Sequence, residues 1–293
     1  MSYSSLKIGS VFYENKLHLS LFKDGLFYIS DKSEINNELL DIKNFYINLP
    51  KSLVHIRENH EKFTLKTNYN LDSTLMPPNP FPSKIVGIGK NYISHAKEMK
   101  GSIKPAFFLK APSALIGSNT DIVVPSFIKK PDYEGEVVIL IGKKVKNASL
   151  KEAKESIVGY TAGNDFTARD LQYGDNNTEC LPWSQAKSLD TFSPTGPYIK
   201  IIDDYSELEN VCVTTRLNGK TVQQGCPSEM FYDYANVVLE VSKLMTLYPG
   251  DLVFTGTPSG VGHAKGNYLN DGDVIEVIVT GIDPLRNKVV RYK

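Results

Sequence analysis

The chain has 293 residues, of which 41% are hydrophobic and 23% are charged, and its 33 basic side chains balance its 33 acidic ones. This composition predicts a globular protein with a sizeable core, in one large or two ordinary domains. A formal net charge of zero gives no global electrostatic case for binding nucleic acid, and no basic run suggests a membrane surface. We therefore expect neither nucleic acid nor a membrane as a partner.

Signals for export, membrane insertion and cysteine-based cross-links are weak in this sequence. The first residues, MSYSSLKIGS, lack the charged and apolar regions of a signal peptide, and no apolar run approaches the roughly 20 residues of a membrane span. The three cysteines, Cys180, Cys212 and Cys226, are odd in number and form no CxxC pair. This predicts neither a disulfide framework nor a structural zinc site, and we expect a cytoplasmic protein.

The first predicted elements are a hairpin and a helical stretch. Apolar and polar residues alternate through 9–30, and Asp24 and Gly25 supply a tight turn. A mixed helical stretch follows at 33–65.

The segment LMPPNPFPSK then carries four prolines within six positions, which stops both helix and central strand. We place a domain boundary here, between a small N-terminal α/β domain at 1–78 and a larger domain at 79–293. Beyond the boundary, short β-rich runs alternate with turns, and the clearest helical stretches are NYISHAKEMK and MFYDYANVVLEVSKLM. This pattern predicts an α+β fold that is predominantly β, built as a mostly antiparallel sandwich or roll.

Three carboxylates form the first candidate site. Glu134 and Glu136 lie two positions apart at the start of the apolar run EVVILIG, and alternate residues of a strand point to the same face. Two such charges repel unless a cation intervenes, and a solvated strand end is the alternative. Asp165 follows the predicted strand GYTAGN. Three carboxylates without a neighbouring His or Cys ligand make an oxygen-only set that suits Mg²⁺ or Mn²⁺.

His95 and Glu98 form the second candidate site. Residues three apart share a face of a helix, so Glu98 could orient and charge-stabilise the imidazole as a general base requires. The alternative is an ordinary pair on an exposed helix. For Lys187, in WSQAKSLDTF, a solvated side chain is the default. The glycine-rich turn TGTPSGVG at 255–262 could receive an anion on its backbone N–H groups.

Taken together and in order, these stretches resemble the fumarylacetoacetate hydrolase family from about residue 83 onward. The stretches that carry the resemblance are GIGKNYISHAKEM, PAFFLKAPSALIG, DYEGEVVILIGK, GYTAGNDFTARDLQ, AKSLDTFSPTGPYI, TRLNGKTVQQG and YPGDLVFTGTPSGVG.

The resemblance implies a C-terminal domain of rolled, mixed β-sheets and a homodimer. It implies that Glu134, Glu136 and Asp165 bind a divalent metal, normally Mg²⁺ or Mn²⁺. It also implies that His95 and Glu98 act as a catalytic dyad.

Further roles follow from the resemblance alone. Lys187 and Gln172 match residues that contact the substrate and stabilise developing negative charge, and Thr257 matches a position near the substrate carboxylate. Lys90 stands where many small members have an arginine, so substrate binding there loses bidentate recognition. Ile88 lies where larger members carry an additional aspartate ligand, so three protein ligands are expected.

These roles support hydrolysis of an acylpyruvate, a 2,4-dioxo acid. A divalent cation would stabilise the enolate end of the substrate, and water activated by His95 and Glu98 would attack the second carbonyl. The same enolate forms when oxaloacetate loses CO₂ or when a 2-hydroxy-diene-dioate shifts a double bond, so a decarboxylase and an isomerase remain alternatives. A non-catalytic protein that binds a 2-oxo acid is a further alternative from a different class.

Overall fold

The computed structural model describes residues 6–30, 41–66, 75–99, 105–174 and 182–292, and β-strands dominate its secondary structure. The strands of the first half are β1 (Lys7–Tyr13), β2 (Lys16–Lys23), β3 (Leu26–Ser30), β4 (Phe63–Lys66), β5 (Leu75–Met76), β6 (Ile85–Gly89), β7 (Ala106–Lys110), β8 (Leu115–Ile116), β9 (Ile122–Val124), β10 (Pro131–Asp132) and β11 (Gly135–Ile141). Those of the second half are β12 (Ile157–Asn164), β13 (Thr167–Ala168), β14 (Ser193–Ile201), β15 (Val213–Leu217), β16 (Lys220–Gly225), β17 (Leu252–Phe254), β18 (Val274–Val279) and β19 (Leu285–Arg291). The helices are α1 (Ile42–Ile47), α2 (Leu49–Asn59), α3 (Ile93–Glu98), α4 (Leu150–Ser156), α5 (Arg169–Tyr173), α6 (Trp183–Lys187) and α7 (Tyr234–Leu244).

A 12-stranded sheet forms the centre of the fold. Its strands follow the order β4-β3-β2-β1-β14-β12-β11-β17-β6-β7, with β5 beside β1 and β8 beside β14. Neighbouring strands pair antiparallel, except that β17 with β6 and β14 with β8 are parallel. Because β1 pairs with β14, the N-terminal strands extend the sheet of the C-terminal part, and the predicted hairpin at 9–30 is a meander of the three strands β1, β2 and β3. The predicted division into 1–78 and 79–293 stays a prediction.

Strand β11 is buried on both faces, which explains its apolar run from Val137 to Ile141. Val137 and Ile139 belong to a core cluster that they share with α7 and with a second sheet, of order β16-β15-β18-β19-β9. Val138 and Leu140 belong to another cluster, to which α1 and α2 contribute. The central sheet is therefore covered on both sides, and the predicted mixed, strand-dominated α+β class is confirmed.

Helix ends follow local capping chemistry. The predicted helix at 230–245 begins only at Tyr234, because the Asp233 carboxylate caps it by accepting the Asn236 amide at 2.8 Å. Within the predicted helical stretch 33–65 the structure has α1 and α2, and residues 33–40 of that stretch lie outside the described residues.

Among the helices of the described ranges, none combines the length and apolar character that a membrane crossing requires.

The prediction that the cysteines form no disulfide is wrong for one pair. Cys212 and Cys226 are bonded, with their Cα atoms 4.2 Å apart. They flank the hairpin of β15 and β16, in which Val213 pairs with Gly225, so the antiparallel register places them opposite each other. An odd count of cysteines says nothing about such a local pair, and Cys180 lies outside the described residues.

Candidate active site

Three carboxylates converge where β11 and β12 meet. The two strands pair antiparallel with Gly135 opposite Asn164, and the Asp165 amide donates to the Glu134 carbonyl at 2.8 Å. One ligand oxygen from each of Glu134, Glu136 and Asp165 lies within 4.8 Å of the other two, and all three residues are buried. The structure thus brings the predicted metal ligands together, although Glu134 lies just before β11 and not within it.

Buried cations surround these carboxylates. Lys187 is 2% exposed and donates to Glu134 at 2.7 Å and to Asp165 at 2.5 Å. Lys110 donates to the other oxygen of Asp165 at 2.5 Å, and Arg169 donates to Glu134 at 2.6 Å. Although burial acts to raise it, Lys187 and Arg169 hold the pKa of Glu134 well below its usual range. The default of a solvated side chain is therefore wrong for Lys187.

Arg169 connects Glu134, one of the predicted metal ligands, to the residues around it. Its Nε donates to Asp132 at 2.8 Å and one Nη donates to Gln172 Oε1 at 2.8 Å, in addition to the bond with Glu134. Asp132 also accepts the amide of Gly262 at 2.8 Å. A planar guanidinium with several fixed donors suits this bridging position better than a lysine would.

Glu136 has weaker compensation than the other two carboxylates. Among the described residues, its carboxylate accepts the Gly256 amide at 2.7 Å. Burial, together with the negative charges of Asp165 and Glu134, raises the pKa of Glu136 well above its usual range. A buried carboxylate beside two others is stabilised by a shared cation. The oxygen-only set and the poorly compensated Glu136 therefore fit Mg²⁺ or Mn²⁺.

His95 and Glu98 lie on α3, as the sequence predicted. His95 is 5% exposed, and its Nδ1 lies 3.4 Å from Glu98 Oε2. The amide of Gly260 lies 3.0 Å from both carboxylate oxygens of Glu98. Although burial acts to raise it, the hydrogen bonds from His95 and Gly260 lower the pKa of Glu98. The dyad is thus part of the interior and not an exposed surface pair, while its catalytic role stays a prediction.

The glycine-rich turn at 255–262 receives anions, and these are the protein's own carboxylates. Its amides donate to Glu136 from Gly256 and to Glu98 from Gly260. One turn therefore fixes a predicted metal ligand and the acidic partner of the predicted dyad at the same time.

Seven of the nine predicted site residues line one pocket, and Glu98 and Asp165 lie behind it, bonded to lining residues. Lys90, at its edge, has a positive φ of 61°. The pocket is lined by Ile88, Gly89, Lys90, His95, Met99, Glu134, Glu136, Arg169, Gln172, Tyr173, Trp183, Lys187 and Thr257. Asp165 reaches the same centre through Lys187 and Lys110. His95 and the carboxylates of Glu134 and Glu136 thus face a common space.

Lys110, Arg169 and Asp132 also belong to this site and were not predicted from the sequence. Lys110 ends the apolar strand AFFLK, where a single charge after four apolar residues was a usable signal. Arg169 lies four residues after Asp165 in a stretch already singled out, and Asp132 lies two residues before Glu134. Their partners are distant in the sequence, so spacing alone did not connect them.

The protein is thus a strand-dominated α+β protein with a buried cluster of three carboxylates that could hold a metal ion. A family profile described as fumarylacetoacetate (FAA) hydrolase C-terminal matches residues 84–290. The chain belongs to the fumarylacetoacetate hydrolase family, a family of enzymes, as the resemblance predicted.

Two curated relatives illustrate the range of the family. An uncharacterised protein of Archaeoglobus fulgidus is 44% identical over 218 residues, covering 74% of this chain and 82% of that protein. The oxaloacetate tautomerase FAHD2A, mitochondrial, of Bos taurus is 31% identical over 266 residues, covering 86% and 84%.

Solved structures agree with this assignment. The 2-hydroxyhepta-2,4-diene-1,7-dioate isomerase of Mycobacterium marinum is 30% identical, with a TM-score of 0.72 over 98% of this chain and 99% of that one. The fumarylpyruvate hydrolase of Pseudomonas aeruginosa, in complex with Mn²⁺ and pyruvate, is 29% identical, with a TM-score of 0.64 over 77% and 95%.

Proposed function

We propose that the protein is a divalent-cation-dependent hydrolase that cleaves a C–C bond in acylpyruvates. The observation that carries this proposal is the pocket that buried His95, backed by the partly buried Glu98, shares with the carboxylates of Glu134 and Glu136. Hydrolysis requires both parts. The carboxylates would hold the cation that binds the 2-oxo acid, and the base would activate the attacking water.

Glu134, Glu136 and Asp165 would hold the cation, for which Mg²⁺ and Mn²⁺ are the candidates. When bound, such a cation supplies Lewis-acid polarisation of the 2-oxo acid. The solved fumarylpyruvate hydrolase with Mn²⁺ and pyruvate supports this part of the proposal.

His95 takes a proton from water, and Glu98 stabilises the imidazolium that results. Because Gly260 donates to Glu98, the carboxylate is held in place while the charge on the imidazole changes. The oxygen of the water attacks the C4 carbonyl of the 2,4-dioxo acid, and the C3–C4 bond breaks. Its electron pair stays with the pyruvate fragment as an enolate, which takes up a proton at C3, while C4 leaves as a carboxylate.

Gln172 and Lys187 stabilise the oxyanion formed at C4. Arg169 donates to Gln172 Oε1, which directs the amide N–H groups of Gln172 to other acceptors. Lys187 lies beside the same carboxylates and keeps a positive charge near the reacting carbonyl. Lys90 and Thr257, which also line the pocket, contact the substrate carboxylates in the role that the resemblance implies.

Proton transfer on oxaloacetate is a second candidate function, and the Bos taurus oxaloacetate tautomerase favours it because the similarity covers 86% of the chain. Tautomerisation needs a base that moves a proton between C3 and an enol oxygen, and His95 is the group in the pocket suited to it. Decarboxylation of oxaloacetate and isomerisation of a 2-hydroxy-diene-dioate use the same enolate. None of these reactions requires attack by water.

Turnover measurements separate these functions. The purified protein is assayed with Mg²⁺ or Mn²⁺ on acylpyruvates, on oxaloacetate and on unsaturated 2-hydroxy diacids. We expect acylpyruvate cleavage that a chelator stops and that Glu134→Ala abolishes, while Glu155→Ala, at a carboxylate whose side chain is 47% exposed, has no effect. Rapid tautomerisation of oxaloacetate without acylpyruvate cleavage would instead support the second candidate. Inactivity on every substrate would support a non-catalytic binding protein.

We also propose that the protein is a homodimer. The support is the family resemblance together with exposed apolar side chains such as Phe127 and Phe231, which are 62% and 51% exposed in the single chain. Light scattering should return twice the chain mass of 32.6 kDa. A monomer mass at micromolar concentration would contradict the proposal.

A further inference from the structure

The peptide unit of Gly135 lies between two of the proposed ligands, Glu134 and Glu136. Its N–H donates to Gln223 Oε1 at 3.1 Å, and its carbonyl accepts the Thr257 hydroxyl at 2.9 Å. Both polar groups of this residue are therefore bound by side chains from distant parts of the sequence, one on β16 and one on the glycine-rich turn.

These two side chains also bind each other. Gln223 Nε2 donates to Thr257 Oγ1 at 2.8 Å and to the Pro258 carbonyl at 2.8 Å. The three bonds close a ring in which Gly135 donates to Gln223, Gln223 donates to Thr257, and Thr257 donates to Gly135. A hydroxyl has one proton to donate, so in this ring the proton of Thr257 is used by the Gly135 carbonyl.

The ring is buried and leaves the backbone little freedom to shift. Gln223 and Thr257 are each 2% exposed. A Cβ atom on Gly135 would lie 1.9 Å from Thr215 Oγ1, so β15 packs directly against this peptide. Buried hydrogen bonds of this kind fix geometry because an unpaired donor or acceptor here would be costly.

We propose that Gln223 and Thr257 are positioning residues that act through Gly135 to set the spacing of the Glu134 and Glu136 carboxylates for the cation. This inference rests on the proposed function, since it requires that the cluster binds a divalent cation. It gives the hydroxyl of Thr257 a task in the apo protein that is separate from any contact with a substrate carboxylate.

Titration of the full-length protein with Mn²⁺, in the absence of substrate, tests the proposal. Isothermal calorimetry gives the Kd for the wild type and for Gln223→Met, Thr257→Val and Thr257→Ser. Partners that orient metal ligands typically change metal affinity by about 10–100-fold when they are removed, so Gln223→Met and Thr257→Val should weaken Mn²⁺ binding by about that factor. Thr257→Ser keeps the hydroxyl and should restore most of the affinity.

Gln224→Met is the matched control, because Gln224 is the next residue of β16 but is exposed. It should bind Mn²⁺ like the wild type. The proposal would be overturned if Gln223→Met or Thr257→Val folded and bound Mn²⁺ with wild-type affinity. It would also be overturned if, in a turnover assay, Thr257→Val raised only the KM for the substrate. If Gln223→Met does not fold, the comparison of Thr257→Ser with Thr257→Val tests the proposal. Equal losses of Mn²⁺ affinity in these two variants would overturn it. A wild type that binds no Mn²⁺ would instead defeat the proposed function itself.

Discussion

Replacing Arg169 with methionine should destabilise the protein far more than the same change at an exposed arginine. The Arg169 side chain is 1% exposed, and it donates to Asp132, Glu134 and Gln172. Methionine keeps most of the volume but removes the charge and every donor. Two buried carboxylates would then each lose a cationic partner.

The expected loss of stability depends on the partners that Asp132 and Glu134 retain when Arg169 is replaced. Removing one partner of a buried ion pair costs about 3–5 kcal/mol. Asp132 retains the amides of Gly262 and His263, and Glu134 retains Lys187, so we expect the lower end, about 3 kcal/mol. At about 2.1 cal/mol/K of unfolding entropy per residue, this corresponds to a fall in Tm of about 5 °C for a chain of 293 residues.

Scanning calorimetry of the metal-free protein measures this change, with Arg286→Met as the matched control. The Arg286 side chain is 53% exposed and lies 3.9 Å from Glu276, a pair worth at most about 1 kcal/mol. Its substitution should shift Tm by less than about 2 °C. Equal shifts for the two variants, or a shift below about 1 °C for Arg169→Met, would refute the view that Arg169 compensates the buried acidic cluster.

Three further changes test other parts of the structure. Because the folded-state pKa of Glu98 is below its ordinary value of 4.5, its contribution to stability is present above that pH and lost as pH falls through the folded pKa. The Tm difference between the wild type and Glu98→Gln should therefore be largest near neutral pH and vanish in acid; a difference that grows in acid would contradict this. Cys212→Ser, Cys226→Ser and the double variant should each lose about 3 kcal/mol, as expected for a loop closed over 14 residues, and unequal losses would show that the bond is not the cause. Gly135→Ala should lose about 1–3 kcal/mol in denaturant unfolding, because its Cβ would overlap Thr215, and a neutral result would contradict the close packing of β15 on β11.

Local periodicity made the acidic cluster and the dyad candidates, and the resemblance to the family favoured them over the solvated alternatives. The two-residue spacing of Glu134 and Glu136, the position of Asp165 after a strand, and the three-residue spacing of His95 and Glu98 each express a property of a single element. The structure places Glu134, Glu136 and His95 in one pocket, with Asp165 and Glu98 close behind them. The same reasoning located the turn at 24–25 and the helix α7, with an error of a few residues at its start.

The side chains that compensate the buried charges could not be predicted from local periodicity. Lys187 was given a solvated side chain by default because a lysine beside small residues is unremarkable, yet it bonds to Glu134 and Asp165 across 53 and 22 residues. Gln223 lies 88 residues from Gly135. Such pairings depend on how the two sheets pack, which no local pattern encodes. The disulfide between Cys212 and Cys226 is local in the sequence, with a separation of 14 residues. It was not predicted because the odd number of cysteines was taken as evidence against disulfides.

Parallel kinetics of the wild type and His95→Ala, with Mn²⁺ present, test the central claim most directly. The rates to compare are acylpyruvate cleavage and oxaloacetate decarboxylation, with His60→Ala, at a histidine on the surface of the N-terminal part, as the control. General-base catalysis contributes about 10²–10⁴-fold, so His95→Ala should reduce acylpyruvate cleavage by about that factor and decarboxylation much less. Acylpyruvate cleavage that survives His95→Ala intact would contradict the assignment of His95 as the base and would favour reactions that need no activated water.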